Sequence, residues 1–158
     1  MTPAHYYTVS WEQLHRDAKA LAWRLLDLPR FEGIVAISRG GLIPAAIIAR
    51  ELDCRLIETV SVVTYDDEAR GRPSVIKAPV AAGDGAGFLI IDDLVDTGTT
   101  ARVVRGLLPQ ARFATVYAKP AGRDLVDLFV TEVSQDTWIL FPWDTEAQFV
   151  APMARRPG

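Results

Sequence analysis

Three carboxylates and a turn of small residues lie close together in one stretch of this 158-residue chain. Asp92 and Asp93 are adjacent, Asp96 follows after two apolar residues, and the turn 97–100 (TGTT) comes directly after Asp96. Carboxylates accept hydrogen bonds from sugar hydroxyls and bind Mg²⁺ directly or through water. The free backbone N–H groups of a small-residue turn bind an anion instead. Together the two kinds of group predict a ligand that carries hydroxyls, phosphate and a divalent cation.

The segments on either side of this stretch would position it at the edge of a sheet. The run 88–91 (FLII) is apolar at every position, which is typical of a strand buried on both faces of a parallel sheet. Residues 101–108 predict a helix, whose positive end favours phosphate. Ligands bind at the carboxyl ends of strands in open α/β sheets. The alternative is an ordinary strand, turn and helix whose acids only cap and solvate.

A second strand leads through glycines into a helix earlier in the chain. Residues 33–37 (GIVAI) predict a core strand, and a helix begins at Leu42 or Pro44. Arg39 and Gly40 lie between them. Glycine lets the backbone approach a ligand closely, and arginine suits phosphate oxygens. By itself this is a tight turn with a solvated arginine; beside the aspartates it predicts a second anion site, for pyrophosphate.

The middle of the chain predicts a hairpin with a polar tip. Residues 56–64 are rich in β-branched side chains and predict a strand. The polar segment 65–74 follows, and residues 75–77 could return as a short strand. On composition alone the tip is an ordinary exposed loop.

The two ends of the chain predict different kinds of structure. Ser10 and Gln13 fit a capping box at the start of an amphipathic helix. Residues 112–118 predict a strand that ends at Lys119, where ligands bind in such sheets. The tail 124–152 is aromatic without a helical period, so it covers the sheet, forms a subunit contact or supplies a flat pocket on which a nucleobase stacks.

The composition bounds the class of protein. A chain of 158 residues is most simply one domain, residues 1–158. The formal net charge of -3 shows no basic excess that would argue for a nucleic-acid-binding protein. The single cysteine, Cys54, excludes a disulfide framework and fits a reducing cytosol. The N-terminus does not resemble a signal peptide, and no apolar run is long enough to span a bilayer.

These motifs together resemble the type I phosphoribosyltransferase family. The likeness runs from about Val9 to Pro152 and is carried by residues 38–41 (SRGG), 91–100 (IDDLVDTGTT), 117–123 (YAKPAGR) and 135–139 (QDTWI). The last two segments are similar to those of its bacterial xanthine-guanine branch. The resemblance implies an α/β fold with a mostly parallel central sheet flanked by helices. It also implies a flexible lid, about residues 65–76, and a small C-terminal hood, about residues 124–152.

The same resemblance implies purine salvage, in which the 5-phosphoribosyl group of phosphoribosyl pyrophosphate (PRPP) passes to guanine, xanthine or hypoxanthine. The residues implied to bind PRPP and its phosphates are Arg39, Gly40, Arg70, Asp92, Asp93, Leu94, Val95, Asp96, Thr97, Gly98, Thr99 and Thr100. Arg72 is the alternative to Arg70. Asp93 would contact Mg²⁺, Asp92 would hold ribose hydroxyls or a second metal-bound water, and Asp96 would be the catalytic acid or base. Lys119, Trp138 and Ile139 would bind the purine together with Asp96.

Further expectations also depend on the resemblance. It implies a cis peptide bond at Arg39–Gly40, a homotetramer, and a cytoplasmic enzyme that in some relatives associates peripherally with the inner membrane. Thr99 departs from the family pattern, which commonly has glycine there. Two other functions stay open: a hypoxanthine-preferring enzyme, and a nucleotide-sensing regulator of the same fold that binds nucleic acid.

Overall fold

The structure is a computed structural model that describes residues 3–64, 71–145 and 149–156. Its strands are β1 (His5–Thr8), β2 (Gly33–Ser38), β3 (Ile57–Thr64), β4 (Pro73–Lys77), β5 (Phe88–Val95), β6 (Arg112–Ala118), β7 (Leu128–Glu132) and β8 (Thr137–Leu140). Its α-helices are α1 (Trp11–Leu25), α2 (Leu42–Glu51) and α3 (Thr99–Leu107). No helix in these described ranges is both long and apolar enough to cross a membrane.

Six of the strands form the central sheet, in the order β4-β3-β2-β5-β6-β7. All neighbouring pairs are parallel except β3 and β4, which form the predicted hairpin. The run 88–91 is fully buried, as expected for a central strand covered on both faces. The predicted mostly parallel sheet flanked by helices is confirmed.

Helices cover the sheet on both faces. The apolar sides of α1 and α2 pack on one face, and α3 packs on the other. The α1 helix begins as predicted, because the Ser10 Oγ accepts a hydrogen bond from the Gln13 N–H at 3.1 Å. The Gln13 side chain, however, donates to the Tyr7 hydroxyl at 2.7 Å, so it ties the helix to β1.

The centre of the sheet is a topological switch point. From β2 the chain passes through α2 to β3 on one side, and from β5 it passes through α3 to β6 on the other. The loops that follow β2 and β5 therefore leave adjacent strands in opposite directions and open a crevice at their carboxyl ends. Every loop that the sequence marks as an anion site follows one of these two strands.

The β5 strand is longer than the sequence predicts. It continues through both aspartates to Val95, because Leu94 and Val95 pair with Tyr117 and Ala118 of β6. The α3 helix also begins earlier than predicted, at Thr99. Asp92 and Asp93 therefore belong to the end of the strand. Only residues 96–98 separate that strand from the helix.

The remaining two strands form a small parallel sheet, β1-β8, over the edge of the crevice. Tyr6 of β1 lies opposite Trp138 of β8. Two chain segments distant in sequence therefore build the hood together, and the tail 124–152 also contributes β7 to the central sheet.

Candidate active site

Residues 96–100, which comprise the connection after β5 and the first two residues of α3, have the backbone geometry of an anion site. We call these residues the Asp96 loop. Gly98 has a φ of 90° and a Cβ at this position would lie 2.3 Å from the Leu125 Cδ1, so only glycine fits without displacement. The α3 helix begins one residue later, and its first N–H groups are free to bind an anion.

Thr99 fits this loop without backbone strain. It is the first residue of α3, and Gly98 rather than Thr99 has the positive φ. Its hydroxyl lies 3.3 Å from the Thr97 hydroxyl and is exposed at the loop surface. The departure from glycine therefore adds an oxygen beside the loop without blocking its N–H groups.

A cavity of about 330 Å³ opens beside the Asp96 loop. The residues that line it are Thr64, Gly71, Asp92, Leu94, Val95, Asp96, Thr97, Gly98, Thr99, Thr100, Ala101 and Phe113. Eight of the twelve residues predicted to bind PRPP line it, from Asp92 to Thr100 with the exception of Asp93. The structure therefore brings most of the predicted phosphate and ribose ligands to one cavity.

Asp92 and Asp93 form a desolvated pair at the end of β5. The Asp93 N–H donates to the Asp92 Oδ1 at 2.8 Å. Burial raises the pKa of Asp92 well above its usual range, and the negative charge of Asp93 raises it further. Burial also raises the pKa of Asp93, to about 6. Such a pair favours a bound cation, because a positive charge stabilises both ionised carboxylates.

Asp93 lies on the other side of β5 from the cavity, against the loop that follows β2. A Cβ at Gly40 would lie 2.3 Å from the Asp93 Oδ2, so glycine alone allows this approach. Asp144 of the hood lies near enough for its negative charge to raise the pKa of Asp93 further. Burial raises the pKa of Asp144 itself, against the opposing charge of Arg39. Sequence reasoning missed Asp144, since it follows Trp143 in the irregular aromatic tail and belongs to no recognised motif.

The expected cis peptide bond lies one position earlier than predicted. It joins Ser38 to Arg39, whereas Arg39–Gly40 was the predicted bond. No proline marks the position, so the residues themselves give no sign of which bond is cis. Arg39 is exposed at the mouth of the crevice.

The Asp96 carboxylate receives a donor on each oxygen. The Lys119 Nζ donates to Oδ2 at 3.1 Å, and the Gln135 Nε2 donates to Oδ1 at 2.7 Å. The Lys119 side chain is only 7% exposed, whereas that of Asp96 is 49% exposed. Asp96 is therefore both fixed in orientation and accessible to a ligand.

The segment after β6 packs directly on the Asp96 loop. We call residues 119–123 the Lys119 turn. The Lys119 N–H donates to the Val95 carbonyl at 2.9 Å, which fixes the start of the turn against β5. A Cβ at Gly122 would lie 2.6 Å from the Asp96 carbonyl oxygen. This close approach explains the glycine of the YAKPAGR segment and fixes Lys119 beside Asp96.

Gln135 is a polar contact that sequence reasoning did not assign. It belongs to the QDTWI segment, but only its likeness to the family marked it. Its Oε1 accepts from the Ala121 N–H at 2.9 Å while its Nε2 donates to Asp96. A glutamine between a strand and an aromatic strand gives no sign of this partner, which lies 39 residues away.

Trp138 and Ile139 lie in β8 of the hood. The Trp138 residue is 50% exposed, and Ile139 is buried. Neither lines the cavity beside the Asp96 loop, so the structure holds them apart from the phosphate ligands. Gln135, which precedes β8, donates to the Asp96 carboxylate that lines the cavity, so the exposed indole and the cavity are connected through Asp96, as would suit a two-part ligand.

The structure describes one of the two arginines predicted for the lid. Arg70 lies outside the described residues, as does most of the lid tip. Arg72 is described and exposed, next to Gly71, which lines the cavity.

Comparisons with known proteins agree on one family. The phosphoribosyl transferase domain matches residues 10–149. A xanthine-guanine phosphoribosyltransferase from Desulfotalea psychrophila is 66% identical over 95% of this chain and 93% of that protein. A second, from Gluconobacter oxydans, is 62% identical over 98% of this chain and 94% of its own. The solved structure of a purine phosphoribosyltransferase from Pyrococcus horikoshii superposes with a TM-score of 0.77, at 26% identity, over 93% of this chain and 99% of that one. With the domain match spanning the Asp96 loop, the Lys119 turn and most of the hood, the chain belongs to the phosphoribosyltransferase family, in its xanthine-guanine branch.

Proposed function

We propose that this protein transfers the 5-phosphoribosyl group of PRPP to guanine, xanthine or hypoxanthine and releases pyrophosphate, a purine-salvage reaction that forms GMP, XMP or IMP. The observation that carries the proposal is the pair of Asp96 and the buried Lys119, in which Asp96 lines the cavity and is hydrogen-bonded to Gln135 of the segment that leads to the exposed indole of Trp138. The high identity to curated xanthine-guanine phosphoribosyltransferases supports the same reaction.

The phosphate side of the site follows from the charge of PRPP. The Asp96 loop, with its free N–H groups, would cradle the 5′-phosphate, and Asp92 in the cavity would accept from ribose hydroxyls. Arg39 and Gly40, with a lid arginine, would hold the pyrophosphate. Breaking the anomeric C–O bond builds negative charge on the departing pyrophosphate, and these cationic and N–H groups stabilise it there.

The donor set fits Mg²⁺, the cofactor that the family implies. Asp93 is desolvated, faces Asp144, and approaches a glycine whose missing side chain leaves room. Oxygen ligands of this kind suit a hard divalent cation. When bound, Mg²⁺ would neutralise charge on the pyrophosphate. Asp93 is its proposed contact, directly or through water.

Three groups of the protein would bind the purine and distinguish its substituents. The Lys119 ammonium would donate to the 6-oxo group, the Trp138 indole would stack on the ring, and the Ile139 backbone would contact the 2-substituent. Asp96 would hold or move the proton at the purine N7 as the ring becomes glycosylated. Its exposure beside a fixed lysine supports this role.

Turnover assays would test the reaction itself. Pyrophosphate release from PRPP and Mg²⁺ is expected with xanthine, guanine and hypoxanthine, and not with adenine, which lacks a 6-oxo acceptor for Lys119. EDTA is expected to abolish release. A protein that bound PRPP but released no pyrophosphate with any purine would contradict the proposal, and a strong preference for hypoxanthine would move it to a neighbouring activity.

We also propose a homotetramer whose association with membrane is at most peripheral. Several apolar side chains are exposed on the isolated chain, among them Leu42 of α2, Ile57 of β3 and Ile76 of β4. Burial of such residues between copies would stabilise an assembly. Light scattering measures the mass, and flotation with anionic vesicles measures membrane binding; a monomer at micromolar concentration would contradict the assembly.

A further inference from the structure

We propose that Gln135 is a positioning residue that orients the Asp96 carboxylate toward the purine and couples it to the hood. The inference deepens the proposed function and rests on it, since it assumes that Asp96 handles the purine proton. Gln135 stands on the connection between β7 and β8, two residues before the hood strand begins.

The amide of Gln135 is fixed at both of its ends. Its Oε1 can only accept, and it accepts from the Ala121 N–H at 2.9 Å. Its Nε2 can only donate, and it donates to the Asp96 Oδ1 at 2.7 Å. The two partners require opposite chemistry, so the amide has one productive orientation. Glutamate could satisfy Ala121 but would face Asp96 with a second negative charge.

The hydrogen bond that Gln135 donates to Asp96 complements the one that Lys119 donates to the same carboxylate. Lys119 holds Oδ2, and Gln135 holds Oδ1, so the plane of the carboxylate is set by two donors from different chain segments. With Lys119 alone, the carboxylate could rotate about its Cβ–Cγ bond, because Asp96 is 49% exposed. Proton transfer depends on a fixed donor–acceptor geometry, so such rotation would slow the chemical step.

The hydrogen bond from Gln135 to Asp96 also joins the hood to the Asp96 loop. The backbone turn after Gln135 is held by the Ser134 hydroxyl, which lies 2.6 Å from the Thr137 hydroxyl and donates to Asp136 at 2.6 Å. Trp138 follows directly. A hood that moves away from the loop would therefore remove the Gln135 amide from Asp96.

Two variants test the inference against a matched pair of controls. Gln135→Ala removes both bonds, and Gln135→Glu keeps the acceptor for Ala121 while it removes the donor to Asp96. Gln110→Ala and Gln110→Glu make the same changes at an exposed glutamine. Its backbone N–H, which both substitutions keep, donates to the Asp84 carbonyl. The measurements are steady-state kcat and KM for PRPP and for guanine, with the melting temperature of each variant.

We expect kcat to fall about tenfold in Gln135→Ala, as for loss of one hydrogen bond to a charged group, and further in Gln135→Glu. The KM for PRPP should stay within about twofold, and the Gln110 variants should match the wild type. A loss seen only as a higher KM for guanine with a lower melting temperature would mean that Gln135 merely supports the hood, and would overturn the inference. Unchanged kinetics would overturn it as well. If the wild type releases no pyrophosphate at all, the proposed function fails instead.

Discussion

The Asp96 loop and the hood, two neighbouring regions of this site, are built in opposite ways. The loop is a continuous run from the end of β5 to the start of α3, and the residues proposed to bind PRPP there are neighbours in sequence. The hood joins β1 to β8, and the glutamine amide that it contributes to the loop comes from 39 residues away. A contiguous run leaves a motif in the sequence, whereas an assembled surface leaves only scattered residues. The proposed phosphate side can therefore be predicted from a motif, whereas the proposed purine side depends on how the fold brings separate segments together.

If the two regions bind different substrates, substitutions in the Asp96 loop should change the KM for PRPP and substitutions in the hood should change the KM for the purine. Asp96 lies at the boundary between the two regions. Asp96→Asn should have the largest effect, since the amide cannot take or give the N7 proton. We expect kcat to fall about 100-fold or more, with PRPP binding by calorimetry nearly unchanged. Normal turnover in this variant would remove Asp96 from the chemistry.

A substitution in the loop should act on PRPP alone. Gly98→Ala places a Cβ in the left-handed region and against Leu125, and should raise the KM for PRPP by about tenfold or more. Gly106→Ala is the control on the same helix, because a Cβ there meets no atom within 4 Å. We expect that control to be neutral in activity and slightly stabilising. Equal effects on both substrates would break the proposed separation of the two regions.

A substitution in the hood should act on the purine alone. Trp138→Ala removes the proposed stacking face and should raise the KM for guanine by about tenfold, with the KM for PRPP unchanged. Trp23→Ala is the matched control, since Trp23 is 77% exposed near the end of α1, whereas the helix is tied to the hood strand β1 at its other end, through Gln13. An unchanged KM for guanine would mean that Trp138 does not stack on the substrate.

The smallest effect is expected away from both regions, at Glu58. Hydrogen bonds from the Lys77 ammonium, Thr59 and Ala81 lower the pKa of this carboxylate to about 2. Because the folded pKa lies below the unfolded value of 4.5, this stabilisation is complete above that value and is lost as the pH falls from about 4.5 to 2. Glu58→Gln should lower the melting temperature by a few degrees at pH 7 and by less at pH 3, without changing kcat. An equal loss at both pH values would show that ionisation is not the cause.

Sequence reasoning reached the parts of the fold whose signals are local. The apolar run 88–91, the Ser10 cap and the glycines at 40, 41 and 98 each mark their structure through neighbouring residues. Sequence reasoning did not predict the features that depend on pairing between strands distant in sequence. The extension of β5 to Val95 follows from contacts with β6, and β1 is exposed and short, so only its partner β8 makes it a strand.

The same limit applies to the site. Lys119 stands at a strand end and could be predicted, whereas Gln135 and Asp144 approach from a segment whose pattern is aromatic and irregular. The Lys119 turn is an intermediate case. Its glycine at 122 is visible in the sequence, but the reason for it, contact with the Asp96 carbonyl, is visible only in the fold.

The pairing of β1 with β8 has a practical consequence for anyone who purifies this protein. Ala4 donates its N–H to the Asp136 carbonyl, so the amino end of the chain is tied to the segment that precedes Trp138. An affinity tag at the amino end would be joined to the chain a few residues before β1, which pairs with the strand proposed to bind the purine. Guanine and xanthine kinetics should therefore be measured after tag cleavage, or with the tag moved to the carboxyl end.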